Sequence, residues 1–526
     1  MGCDRAQVTR TFQNELSCST GSCSFFWIED EYFRLNEIRY GRRGAGADPP
    51  EGFGGFINSP GQGVVNSWRL VFCKQISNSC TDCHICCRWP YDNLLFTAHQ
   101  MRNSTLRRKR LIRSFVDTIS GTLRRYCPYT SMSLSRICCL IAFFCLSAGV
   151  RAQDTVNVDI LYIEQKIERP PVLSNLVSWP DDEGLQGASL AIDDNNTTGK
   201  FLGQIYALES LIFAPDHDRD DALEQIRQAL ADRARLVVLN LPASLLLDVA
   251  SLDDAQDDLL FNAQAADNEL RQADCRPNIL HTVPSRAMHT DALAQFFTYR
   301  KWRQIFLIEG NRAADKALAA SMRNSVQKFG LQIVEDKTWI EDADMRRTAS
   351  TEVPVFTQSS KYDVVFVADE DRDFSQYILY NTWLPRPVAG SAGLTPVTWS
   401  PVIEQWGAAQ LQSRFRKLSN RDMSSRDYAN WSALRSIGEA VTRTGVADTE
   451  LIKRYILSAD FELAGFKGAS LSYRDWNGQL RQPIQLVHAN AVVASAPIEG
   501  YLHQLTELDT LGSDRPETQC ESFSLQ

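Results

Sequence analysis

Apolar positions change their spacing along this chain, and that change divides it. From Asp154 onward short apolar runs alternate with stretches whose apolar residues recur every three or four positions, the pattern of strands followed by helices. Val156–Ile163 is rich in β-branched residues and predicts a strand. Gly184–Asn195 places Leu185, Ala188, Leu190, Ala191 and Ile192 on one side of a helix. Lys200–Leu208 predicts a second strand, and Asp220–Asp232 an amphipathic helix carrying Leu223, Ile226 and Leu230. Arg235–Asn240 is almost uninterruptedly apolar, as in a parallel sheet covered on both faces. Asp258–Asn262 and Asn278–Val283 predict further strands.

A second series follows. Met288–Tyr299 predicts a helix, Arg303–Glu309 a buried strand, and Arg312–Phe329 a helix stopped by Gly330. Strands are expected at Leu331–Val334, Tyr362–Ala368 and Pro396–Trp399, and helices at Ser425–Thr444 and Thr449–Ser458. Gly468–Tyr473 and Ile484–Ala489 return to extended structure. Repeated β-α units imply right-handed crossovers and open parallel sheets. Two runs divided near His281–Ser285 imply an α/β protein of two doubly wound, parallel-sheet lobes.

The first 131 residues show no such periodicity, and composition sets them apart. They hold 17 Lys/Arg against 11 Asp/Glu, whereas 132–526 hold 38 against 53. Nine of the 14 cysteines lie in 1–131, three in 138–145, and only Cys275 and Cys520 beyond. At the border, Met132–Arg136 is a short positive region, Ile137–Leu146 an apolar run, and Val150 and Ala152 are small residues before Gln153. That is the layout of a cleaved secretory signal, and the run is short for a membrane span of ~20 residues. Residues 1–131 are therefore expected to be upstream translated sequence, disordered or non-native. The competing reading is a cytoplasmic domain with an uncleaved anchor, supported by the zinc-like spacing of Cys80, Cys83, His84, Cys86 and Cys87. The basic run Arg107–Arg110 is read as incidental. Export invites a Cys275–Cys520 disulfide that ties the C-terminal tail to the first lobe, with two free thiols as the alternative. The acidic balance beyond 132 argues against nucleic acid as a partner.

The order of several segments resembles the type 1 periplasmic binding proteins, the branched-chain amino-acid binding family. Gly187–Asn196 with Gly199 and Leu202-Gly203 is similar to that family's first helix and turn. Lys301–Ile308 resembles the strand opening its second lobe, Tyr428–Ala440 its late first-lobe helix, and Gly468–Tyr473 with Asn477-Gly478 its closing segment. Within the family, Leu280–Ser285 and Pro396–Ser400 resemble a divergent branch associated with quinoprotein (PQQ-dependent) alcohol dehydrogenase systems. After the signal read at 132–152, the resemblance implies a first lobe over 153–283 and 421–468. It implies a second lobe over 284–420 and 469–500, and a tail over 501–526. It also implies a periplasmic protein that captures a small-molecule solute between lobes joined by a hinge and delivers it to ABC transporter membrane subunits, with a quinoprotein dehydrogenase as a further partner. No cofactor or metal is expected.

Ligands of open α/β sheets bind at the carboxyl ends of strands. That places Ser244, Ala265, Asp267 and Asn268 of the first lobe, and Arg286, Glu309, Asp369 and Trp399 of the second, as candidate contacts. Ser244 is either a contact or a helix cap, Asp369 a contact or part of a solvated acidic loop, and Trp399 pocket wall or core. Arg286 pairs with a carboxylate of the solute or of the protein. Relatives that bind amino acids carry Ser or Thr where Ala265 and Ala266 stand, which argues against an amino-acid ligand. Nucleophile-elbow, zinc-protease, phosphate-loop and dinucleotide motifs are missing, so binding is favoured over catalysis. The alternative is a periplasmic accessory or sensor protein that keeps the fold but docks on a dehydrogenase or receptor.

Overall fold

In the computed structural model, residues 155–169, 179–231, 235–340, 345–359 and 361–523 are described. The upstream segment, the expected signal and the Cys80–Cys87 cluster lie outside these residues. Among the described residues no helix is long and apolar enough to cross a membrane.

The first lobe is built on five parallel strands in the order β2-β1-β3-β4-β5: β1 (Val156–Gln165), β2 (Gln204–Phe213), β3 (Leu236–Asn240), β4 (Leu259–Asn262) and β5 (Ile279–His281). All five residues of β3 are buried, because helices cover both faces of the sheet. The connecting helices are α1 (Leu185–Leu202), α2 (Arg219–Leu230) and α3 (Ala243–Ala250). The helix expected to stop at Asn195 runs two turns further, to a left-handed Gly203, so the second strand starts at Gln204 rather than Lys200.

The second lobe begins with α4 (Arg286–Arg300). Its sheet has the order β7-β6-β8-β9, all parallel: β6 (Gln304–Glu309), β7 (Gln332–Thr338), β8 (Val364–Ala368) and β9 (Val388–Gly390). Its helices α5 (Ala313–Lys328), α6 (Met345–Phe356) and the single turn α7 (Ser375–Ile378) follow strands in the same sense. An antiparallel sheet completes the lobe, β10 (Thr395–Val397) pairing with β14 (Ile484–His488) and that with β15 (Ala491–Ala496).

Where the chain crosses between lobes differs from the sequence boundaries. The first crossing is Thr282–Ser285. Trp399, Ile403, Leu411, Phe415 and Met423 pack into the first-lobe core. The return therefore follows β10 directly, some twenty residues before the expected boundary at 420. It leads into α8 (Ala408–Ser419), α9 (Ser425–Thr444) and α10 (Thr449–Ile456). The small sheet of β11 (Leu463–Ala464), β12 (Ser470–Tyr473) and β13 (Leu480–Arg481) also belongs to the first lobe, since Leu463, Leu471, Tyr473 and Leu480 join the same core. The third crossing is Gln482–Pro483, not 469. The tail forms a fourth: Tyr501 and Leu511 pack on the second lobe, Cys520 and Phe523 on the first.

Two glycines let α9 lie close against α1. A methyl group at Gly187 would sit 2.0 Å from the carbonyl oxygen of Asp427, and one at Gly438 would meet the Asn195 side chain at 2.2 Å. Asp427 also accepts the backbone N–H of Gly184 (2.8 Å) and closes a capping box with Ser424, so one carboxylate joins the starts of both helices.

Buried polar side chains hold the crossings together. The Arg271 guanidinium donates to Gln479 Oε1 (2.9 Å) and to the carbonyls of Ala265, Asp267 and Val283 (2.8–2.9 Å). Lys467 Nζ donates to Gln482 Oε1 (2.8 Å) and the Pro483 carbonyl (3.1 Å), and Gln482 Nε2 donates to the Thr282 carbonyl (2.8 Å). Unpaired, each group would cost roughly 1–3 kcal/mol, so the network fixes the crossings as a unit.

Candidate functional site

A cleft of about 1450 Å³ opens between the lobes at the carboxyl ends of both parallel sheets. Its first-lobe wall comes from the segment before α1, the loop after β4 and the start of α9. Its second-lobe wall comes from α4, the loop after β8 and the turn after β9.

Three of the eight candidates line this cleft: Arg286, Asp369 and Trp399. Arg286 is the second-lobe residue that begins α4. It donates to both oxygens of Glu370 (2.5 and 2.9 Å) and pairs with Asp267 of the first lobe at 3.0 Å. Burial alone would lower this guanidinium, but the two carboxylates outweigh it and raise it. Its carboxylate partners are thus the protein's own. Asp369 accepts the backbone N–H groups of Asp373, Phe374 and Ser375 (2.7–3.0 Å), so it shapes the loop rather than serving as a free contact. Trp399 is 2% exposed, stacks on Tyr428 (centroids 5.0 Å apart) and donates its indole N–H to Gln412, so at this point a core residue forms the cleft wall.

The other five are not among the lining residues. Ser244 is the second residue of α3, whose cap is Pro242, and it meets Arg219 at 3.4 Å; it is neither cap nor cleft contact. Ala265 is buried, its N–H held by Asn262 Oδ1 at 2.9 Å. Asn268 joins the lobes, donating to Ser321 Oγ (2.8 Å) and accepting from the Ala287 N–H (2.9 Å). Asp267 joins them through Arg286. Glu309 pairs with Arg323 at 2.8 Å. The polar side chains among them are spent on partners brought from other segments of the chain.

The structure adds residues that spacing did not single out as contacts. Trp179 lies between two guanidinium groups, 3.7 Å from Arg169 and 4.6 Å from Arg372. Arg169 and Trp179 belong to the first lobe and Arg372 to the second, so this stack spans the cleft. Arg426 projects from the first turn of α9, 3.8 Å from Glu183. His289, one turn into α4, and Gln264, after β4, each keep a buried polar atom without a partner, Nε2 and Oε1 respectively. Burial, then Lys467, Arg286 and Arg271, push His289 down to about 4, so it is neutral at pH 7. Deeper walls are apolar, with Leu293, Leu318 and Phe366 from the second lobe. Among the described residues no group of three or more His, Cys, Asp or Glu is placed to hold a metal ion.

Comparison with known proteins agrees with this architecture. A family model described as "Periplasmic binding protein" matches residues 180–378. A branched-chain amino acid ABC transporter periplasmic ligand-binding protein from Burkholderia xenovorans superposes with a TM-score of 0.55 at 15% identity, covering 70% of this chain and 100% of that one. A periplasmic binding protein from Burkholderia mallei gives 0.52 at 16% identity, covering 69% and 98%. The solute binding protein of an ABC transporter from R. palustris, in complex with benzoate, gives 0.50 at 11% identity, covering 70% and 99%. A search of curated proteins returned no match. The two lobes of parallel sheets have the type 1 periplasmic binding protein fold.

Proposed function

We propose that this chain, having the fold of the type 1 periplasmic binding proteins, is the periplasmic solute-binding component of an ABC-type transport system. The observation that carries the reading is the cleft itself. It lies between two lobes joined by narrow crossings, at the carboxyl ends of both sheets, with apolar walls and unpartnered polar atoms. Binding shifts such a pair of lobes toward the arrangement that contacts the solute from both sides, and transporter membrane subunits distinguish that arrangement from the open one. No step of this cycle makes or breaks a covalent bond, so the reading is of a binder rather than an enzyme.

The link to PQQ-dependent alcohol oxidation rests on Leu280–Ser285 and Pro396–Ser400. Both segments fall on lobe crossings, so they bear on how the lobes move and do not identify the solute. The test is a thermal-shift screen of the purified full chain against alcohols, aldehydes, short carboxylates, amino acids and quinone cofactors. A saturable rise in Tm with one chemical class supports solute capture, because a ligand that binds only the folded form stabilises it by mass action. No response to any class sinks it and favours the accessory role, docking on a dehydrogenase.

A further inference from the structure

The carboxylates of the cleft wall are already engaged. Glu183 meets Arg169 (3.3 Å) and Arg426 (3.8 Å), and Glu370 meets Arg286. Asp371 and Asp373 both meet Arg312 at 2.5 Å. Asp369 is held by three backbone amides, and Asp422 accepts from Gln412 (3.0 Å) and pairs with Arg416. An ammonium group entering this cleft would find no free carboxylate. It would have to share a carboxylate whose charge is already met by a guanidinium or by backbone amides, and would gain less there than at a lone one.

One unpartnered group can supply the opposite character, a donor. His289 lines the same cleft, and its buried Nε2, which carries the N–H in one tautomer of the neutral imidazole, has no hydrogen-bond partner. A buried polar atom without a partner is uncommon in a folded protein and marks a place where something else binds. Arg286 and Arg271 both act on it as cations, whereas burial pushes Lys467 well below its ordinary value. Burial is the larger cause of the His289 shift, and only the part that comes from these guanidinium groups favours an anion beside it. Leu293, Leu318 and Phe366 supply an apolar wall in the same lobe.

Resting on the solute-binding reading above, we propose that the cleft takes a monocarboxylate with an apolar body and no ammonium group, its head hydrogen-bonded by His289. Arg271, whose hydrogen-bond partners are an amide oxygen and three carbonyls rather than carboxylates, supplies the attraction, and the imidazole N–H supplies the directional contact.

The test uses isothermal titration of the purified full chain with two matched sets. One is 4-methylpentanoate, leucine and 4-methylpentan-1-ol; the other is 3-phenylpropanoate, phenylalanine and 3-phenylpropan-1-ol. In at least one set the carboxylate is expected to bind ten-fold or more tightly than both its amino acid and its alcohol. His289→Leu should weaken that carboxylate at least ten-fold, while His289→Gln, which keeps an N–H donor, recovers part of the loss. Tighter binding of either amino acid, equal binding of the alcohol, or an unchanged affinity in His289→Leu overturns the proposal and leaves solute capture standing. Failure of both sets, together with no response in the broader thermal screen, overturns solute capture and this proposal with it.

Discussion

Cys275 and Cys520 are joined by a disulfide across 245 residues of sequence, with their Cα atoms 5.6 Å apart. Cys275 lies just before β5 in the first lobe, and Cys520 ends a tail that has just left the second. The tail is fixed on the way: Gly512 N–H donates to Asp291 (2.9 Å), Lys328 donates to the Gly512 carbonyl (2.8 Å), and Gln295 donates to Thr510 (3.2 Å). The three chain crossings thus acquire a fourth, covalently closed one.

Removing that closure is expected to destabilise the protein. Cross-links over long loops typically contribute about 2–4 kcal/mol by restricting the unfolded chain. Cys520→Ser should lower Tm in calorimetry, and peptide mapping of the non-reduced protein should recover Cys275 linked to Cys520 in the parent. Two freely alkylated thiols in the parent protein, or an unchanged Tm in the variant, would refute the closure.

The strand and helix series was legible because buried parallel strands are continuous apolar runs; Leu236–Asn240 and Val364–Ala368 fall where expected. Two of the longer helices were not. Met345–Phe356 contains Pro354 within a Ser/Thr-rich stretch, which reads as a loop. Ala408–Ser419 buries only Ala408, Leu411, Gln412 and Phe415, too few apolar residues to stand out from its charges. Without that helix, the return of the chain to the first lobe at Trp399 could not be placed. The cleft was legible only as strand ends. Which side chains remain free depends on partners far away in sequence, as with Glu309 and Arg323 or Arg286 and Asp267.

Asp509 anchors the tail from within. Its carboxylate accepts from Arg474 Nε (2.8 Å) and Arg481 Nε (2.8 and 3.0 Å), and both Arg474 and Asp509 are buried. Burial raises this carboxyl, but Arg474, Thr506 and Arg481 outweigh it and hold it below its ordinary value. A depressed folded-state pKa contributes stability above the unfolded value of roughly 3.9, and that contribution is lost as pH falls through the folded value. Asp509→Asn leaves Arg474 buried without its counter-charge and should cost about 3–5 kcal/mol at pH 7, measured by urea unfolding. The deficit should shrink as the parent is acidified below pH 4. A deficit independent of pH would point to lost shape rather than lost charge.

Asp258 has the opposite sign. Its Oδ1 accepts the Arg235 N–H at 2.5 Å, while its Oδ2 is buried without a partner. Burial raises it to about 6 against the Arg235 contribution. A raised folded-state pKa means the folded protein binds the proton more tightly, so its stabilising effect is full below pH 4 and lost between pH 4 and pH 6. Asp258→Asn keeps the acceptor and stays neutral. The variant should therefore gain on the parent across that window and be the more stable of the two at pH 7. Parallel Tm profiles from pH 4 to pH 7 would contradict the assignment.

The stack of Arg169, Trp179 and Arg372 reports on the cleft rather than on folding. Trp179 lies outside both lobe cores, so its removal leaves no cavity in either. Its ring is nevertheless the surface on which a first-lobe and a second-lobe guanidinium meet, at 3.7 and 4.6 Å. A partly exposed cation–π contact contributes roughly 0.5–1 kcal/mol, enough to shift a two-arrangement equilibrium a few-fold. Trp179→Ala should leave Tm nearly unchanged in the free protein, raise the radius of gyration measured by small-angle scattering, and speed solute release a few-fold. Arg372→Ala should do the same, and the double variant should add little, because both changes remove one contact. Additive effects would mean that the two side chains act separately and that the stack does not hold the lobes together.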